Sequence, residues 1–199
     1  MRWHKFISTA LHPIVIPTIG ILLYFILTPV NLSRHQQYTI LSVVFISTYI
    51  IPLLLLILLK SIGYISSYQV KRISERKIPI FFMMALFFML GKFFYETTII
   101  KDLSYLFFGV VLGLGLIYIL FVFKIKTSLH LLSIGAALGY FLLFQQLHSL
   151  AITPITIIFL LLSGLLASSR LHLKAHTSTE VYLGFFIGLV APFFTFYIL

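Results

Sequence analysis

The chain has no cysteine, and only four of its 199 residues are acidic: Glu75, Glu96, Asp102 and Glu180. The first absence excludes disulfides, iron–sulfur clusters and thiolate zinc sites. The second leaves too few carboxylates on any one side of the chain for a diiron centre. Charge of either sign is scarce, at 9% of residues against about 25% in soluble domains. By contrast 61% of the sequence is hydrophobic and 17% aromatic. A soluble fold of this composition would have almost no polar residues to cover its core, whereas a bilayer solvates the outside of such a chain directly. A soluble domain is excluded, and residues 1–199 are expected to form one integral membrane domain.

Seven apolar stretches come close to the roughly 20 residues needed to cross about 30 Å of hydrocarbon. They lie at about 10–29, 38–60, 79–99, 104–123, 128–147, 150–168 and 178–198. They predict an all-α, polytopic transmembrane bundle of about seven helices, with six as the lower count. The first stretch follows Arg2 and Lys5, continues to about Thr28 and ends without a small-residue cleavage pattern, so it reads as a retained helix and not a signal peptide. His12-Pro13, Pro17, Pro52 and Pro192 read as helix kinks, and Lys92 with Glu96 as a structural i, i+4 pair. Gly109, Gly113 and Gly115, and Gly184 with Gly188, predict close helix packing. The longest joint, 61–78, mixes Tyr64 and Tyr68 with Lys71, Arg72, Arg76 and Lys77, the composition of an interfacial segment at headgroup depth.

The net charge of +10 is unevenly placed. All of the Lys and Arg residues except Arg34, Lys92 and Lys101 fall on one side of the expected topology, which predicts that side to be cytoplasmic. Three polar clusters share that side, because an even number of crossings separates each from the next: the joint 61–78, residues 124–130 and residues 169–180. They are therefore able to form one site.

The third cluster carries the most chemistry. Glu180 follows His176 by four positions, which puts both on one helical face, close enough for the carboxylate to hold one imidazole nitrogen and leave the other free as nucleophile or base. Arg170, six residues before His176, supplies a permanent planar cation suited to phosphate. In the second cluster Thr127 and Ser128 stand where the fifth stretch begins, either hydroxyl being a candidate cap, and His130 lies one step inside as a candidate proton donor.

Together the clusters resemble the type 2 phosphatidic acid phosphatase family of membrane lipid phosphatases. The third motif of that family, Ser-Arg, five residues, His, three residues, Asp, is similar to Ser169, Arg170, His176 and Glu180, with Glu replacing Asp. The second, Pro-Ser-Gly-His, is met by Thr127-Ser128-Leu129-His130, which keeps the serine and histidine. The first, Lys, six residues, Arg-Pro, is partly met by Lys71 through Pro79, with Ile78 at the arginine position and Arg72 or Arg76 as substitute cations. The resemblance spans roughly residues 71–180.

It implies a lipid-phosphatase-like core and a metal-independent reaction without cofactor. In that reaction His176 forms a phosphohistidine, Glu180 orients it and His130 protonates the leaving group. Lys71, Arg72, Arg76, Ser128, Ser169 and Arg170 hold the phosphate. The implied partners are a membrane lipid substrate, either a lipid phosphate or an isoprenoid pyrophosphate, and anionic headgroups; nucleic acid is not among them. The implied location is the bacterial inner membrane. Two rivals are a metal enzyme using His172, His176 and Glu180 at i, i+4, i+8 spacing, and a non-catalytic bundle, scaffold or transporter, whose basic face binds acidic lipid.

Overall fold

The computed structural model describes residues 2–28, 31–70 and 72–199. Among them are nine α-helices and no β-strand: α1 (Arg2–Ala10), α2 (Ile16–Leu27), α3 (Arg34–Phe45), α4 (Ile51–Ser61), α5 (Ile73–Glu96), α6 (Leu103–Leu120), α7 (Leu129–His148), α8 (Thr153–His172) and α9 (Ser178–Ile198). A π-helical turn, Ile46–Ile50, joins α3 to α4, so that Arg34–Ser61 is one continuous rod. The turn precedes Pro52, whose nitrogen has no proton for a regular helical bond. With α5 to α9, this rod makes six helices among the described residues that are long and apolar enough to cross a membrane.

The first expected crossing, 10–29, is shortened at its start. Pro13 breaks the helix there, and α1 and α2 are separated by the turn at 11–15. At 12 residues, α2 rises about 18 Å, short of the hydrocarbon thickness. Pro17 sits in its first turn, where the missing N–H has no helical partner to lose. The short α1 is amphipathic: Ile7 and Ser8 are buried, while Trp3 and Phe6 are exposed and stack on each other at 5.8 Å. The joint at 61–78 is also shorter than expected, because α5 begins at Ile73 and carries Pro79 inside it.

The bundle is built around α7, the helix with the largest buried share, and α9 packs most closely on it. Glycines make this approach possible. A Cβ on Gly135 or Gly139 of α7 would strike the carbonyl oxygens of Phe185 or Leu189, and one on Gly184 or Gly188 of α9 would strike those of Ser128 or Leu132. Gly109 of α6 lies under Pro192 in the same way. Gly115, by contrast, meets only the sulfur of Met84 at ordinary contact distance.

Exposed apolar side chains, among them Leu54, Ile57, Phe81, Met89, Ile158 and Leu161, cover the outside of α4, α5 and α8 as a lipid-facing surface. At the end of the bundle where α6 begins and α7 ends, Asp102 accepts from the Tyr24 hydroxyl at 3.0 Å and lies 2.9 Å from His148 Nε2. This tie holds α2 against α6 and α7. The starts of α5, α7 and α9 lie at the other end.

Candidate active site

Thr177 caps α9 with a full capping box. Its hydroxyl accepts from Glu180 N–H at 3.4 Å, and Glu180 Oε2 accepts from Thr177 N–H at 3.2 Å. The same carboxylate oxygen accepts a hydrogen bond from Nδ1 of His176, the residue before the cap, at 2.8 Å. Helix capping and imidazole orientation are thus performed by one side chain. With Nδ1 protonated toward Glu180, Nε2 keeps its lone pair.

His176 is buried, and burial holds it down to about 4 from its ordinary value of 6.5. The nearby positive charges of Arg76, Arg170 and Lys126 act in the same direction, against the hydrogen bond that His176 donates to Glu180. The ring is neutral at physiological pH.

The three sequence clusters meet at the start of α7. Arg76, buried in the first turns of α5, donates from Nη1 to Thr127 O at 3.2 Å and from Nε to Val70 O at 2.9 Å. Val70 has φ of +44°, a strained conformation for a β-branched residue, and the Arg76 bond to its carbonyl holds it there. Lys126 Nζ donates to Ala175 O at 3.1 Å, and Ser128 N–H donates to Glu180 O at 3.1 Å. Ser128 is the N-cap of α7 by position, yet its hydroxyl makes no capping bond.

The amino-terminal helix packs behind these residues against α8, and the turn after it reaches the cavity. Arg170 Nη1 donates to Ser8 Oγ at 2.7 Å, and His130 Nε2–H donates to Ser8 O at 3.1 Å. The ring of His12 meets that of His130 edge-on at 4.9 Å. Ser169 Oγ donates to Leu165 O at 2.8 Å and lies 3.3 Å from His4 Nδ1, while His4 stacks on His172 at 4.0 Å.

Some of these groups line a cavity of about 170 Å³. Its polar end is lined by His12, Gln69, Arg76, His130, Arg170 and His176; the rest is apolar, running between α4 and α5 past Pro52, Leu55, Leu56, Ile80, Met83 and Phe87. Arg170 Nε is buried there and has no hydrogen-bond partner among the described residues. A neutral imidazole beside two guanidinium groups, at the head of an apolar slot, suits a molecule with an anionic head and a hydrocarbon body.

Of the residues singled out by sequence, the fold brings His176, His130, Arg76 and Arg170 to the cavity and sets Glu180 behind His176. It does not bring three others. Arg72 is exposed at the N-cap of α5 and does not line the cavity. Ser128 and Ser169 are fully buried in helix packing away from it, Ser128 Oγ without a partner among the described residues. Their alignment with the motifs holds in sequence, but their hydroxyls are turned into the packing of α7 and α8. Lys71 lies outside the described residues.

The i, i+4, i+8 reading of His172, His176 and Glu180 fails on geometry. The helix α8 ends at His172 and α9 starts at Ser178, so the three share no helix face. Among the described residues no three His, Asp or Glu side chains come together as a metal site. Sequence reading missed Ser8, His12 and Gln69. The available signal was His12 itself, since an ionisable side chain within an apolar run is costly and marks a site more often than a bend.

Comparison of the chain with protein-family models, with curated proteins and with solved structures gives no match. The functional reading therefore rests on the geometry and on the motif resemblance alone.

Proposed function

We propose that this integral membrane protein is a phosphatase that hydrolyses a lipid phosphate or an isoprenoid pyrophosphate through a phosphohistidine on His176. The observation that carries the reading is the His176–Glu180 pair, 2.8 Å apart, whose imidazole lines a cavity with Arg76 and Arg170 at its polar end and an apolar slot beyond. Nε2 of His176 attacks phosphorus, and the bond from phosphorus to the leaving oxygen breaks. Glu180 stabilises the cation that forms on the ring. Arg76 and Arg170 take up the equatorial oxygens, where transition-state charge gathers. Arg170 Nε, without a hydrogen-bond partner among the described residues, is the natural donor for one of them.

His130 has its Nε2–H held by Ser8 O, so it delivers a proton from Nδ1 as the imidazolium. That form is stabilised once the phosphate dianion sits beside it. The leaving group departs as the alcohol or as the shorter phosphate; water then attacks phosphorus, giving a proton to Nδ1 of His130, and the phosphorus–nitrogen bond breaks to return neutral His176 and release phosphate. None of these steps calls on a metal or a cofactor. We place the protein in a bacterial inner membrane, with the lipid chain in the slot between α4 and α5.

The rival is a non-catalytic bundle that binds anionic headgroups. Leu129, which replaces the small residue of the resembled motif, and the outward Arg72 favour it. Phosphate release from phosphatidic acid, phosphatidylglycerol phosphate and polyprenyl pyrophosphate by detergent-purified protein separates the two. Release by the parent chain, with a fall of several orders of magnitude in His176→Ala, is the expected result. Equal rates in parent and variant, or no release with folded protein, turn the reading to the lipid-binding bundle.

A further inference from the structure

The break between α1 and α2 places an additional histidine in the candidate site. The proposal rests on the phosphatase reading and adds an element that the resembled motifs do not contain. Pro13 ends helical bonding, and the turn that results is pinned at two points: Ser133 Oγ of α7 lies 3.4 Å from Pro13 O, and Ile14 N–H donates to His12 Nδ1 at 3.4 Å. A backbone N–H can only donate, so Nδ1 of His12 is the acceptor and the ring proton sits on Nε2. His12 is half-buried and lines the same cavity as His130, Arg170 and His176, and its Nε2 has no protein partner among the described residues. Between Arg170 and His130 a neutral donor adds a hydrogen bond without adding charge.

The resembled phosphate cradle is short of donors here, because Ile78 stands at the arginine position of the first motif, Arg72 faces outward and Ser128 is turned into helix packing. We infer that His12 is a phosphate-binding residue, donating from Nε2–H to a phosphate oxygen held between His176 and Arg170. The turn between α1 and α2 is in that case part of the binding site.

The test is binding of inorganic phosphate to the full chain in detergent at neutral pH, by calorimetry, for the parent and for His12→Phe, His12→Gln and Arg170→Gln. Phenylalanine keeps ring shape without a donor, and glutamine keeps an N–H at a similar reach. His12→Phe is expected to bind about tenfold more weakly, the size of one hydrogen bond to a charged group, with His12→Gln recovering most of the loss. Parent-like binding by His12→Phe, with weakened binding by Arg170→Gln, overturns the His12 assignment and leaves the phosphatase reading standing. No phosphate binding by the parent chain overturns both. If His12→Phe does not fold, nitrogen NMR of labelled histidine in the parent decides, with His12→Gln identifying the signal. Movement of the His12 Nε2 resonance on adding phosphate supports the assignment, and an unmoved resonance refutes it.

Discussion

At the scale of single residues, Glu180 connects stability to chemistry, because the oxygen that caps α9 also fixes the tautomer of His176. Sequence spacing anticipated their contact through a shared helix face. The contact exists for a different reason: His176 precedes the helix, and the capping box brings Glu180 back toward it. The half-buried His12 and the buried His176 also set a pH dependence. His12 and His176 are each held to about 4, chiefly by burial, against 6.5 for an unperturbed ring. Below 6.5 the unfolded chain takes up protons that the folded chain refuses, so stability is full above that value and falls as pH drops toward 4. The midpoint of thermal unfolding in detergent is expected to be flat above about pH 6.5 and to decline below it. His176→Gln, which cannot titrate, should make that decline shallower; an equal slope would contradict the buried neutral ring. The Lys92–Glu96 pair, 3.7 Å apart and exposed, plays no comparable part, as its i, i+4 spacing suggested.

At the scale of elements, the α7–α9 contact is decided by the residues that lack a Cβ. Gly184 and Gly188 were legible as small-xxx-small packing positions, whereas Gly135 and Gly139 gave the same signal and acquired meaning only when α9 was found lying on them. Gly139→Ala forces a methyl into the Leu189 carbonyl and is expected to lower the unfolding midpoint by on the order of 5 °C, from an overpacking cost of about 1–3 kcal/mol. Gly164→Ala on α8 is the control, since nothing lies within 4 Å of its added Cβ. It should be neutral or slightly stabilising through helix propensity. Equal destabilisation by both would mean that helix approach is not what these positions serve. The turn that shortens the first apolar stretch and sets α1 apart from α2 was present in the sequence as His12-Pro13. Hydropathy averages over such a break, because a proline costs one bond and little apolar character.

At the scale of the whole molecule, charge is segregated to one end. Arg76 and Arg170 are engaged at the site, but Lys5, Lys60, Lys77, Lys124 and Lys174 remain exposed on the same side, with Arg34, Lys92 and Lys101 toward the other. Discounting the site arginines does not remove the bias, so the cavity end is expected to face the cytoplasm. The absence of native cysteine gives a clean measurement. In intact cells a membrane-impermeant maleimide should label Arg34→Cys directly and Lys124→Cys only after lysis. Labelling of both before lysis would contradict the crossing count between them, and the opposite order would reverse the orientation.

Composition and hydropathy by themselves determined that this is a helical membrane bundle and roughly where its crossings lie, because solvation by lipid constrains every residue of a spanning segment at once. Motif order and parity of crossings likewise placed three polar clusters on one side. Only tertiary structure decided which members of those clusters reach a common cavity. Four residues apart, Arg72 and Arg76 would share a face of one helix, but Arg72 is the extended N-cap that precedes α5 and Arg76 lies inside the helix, and that separates Arg76 in the cavity from Arg72 in the open. It also decided that His12 and Ser8, more than a hundred residues away in sequence, stand against His130 and Arg170, since helix packing alone joins segments that no local pattern connects.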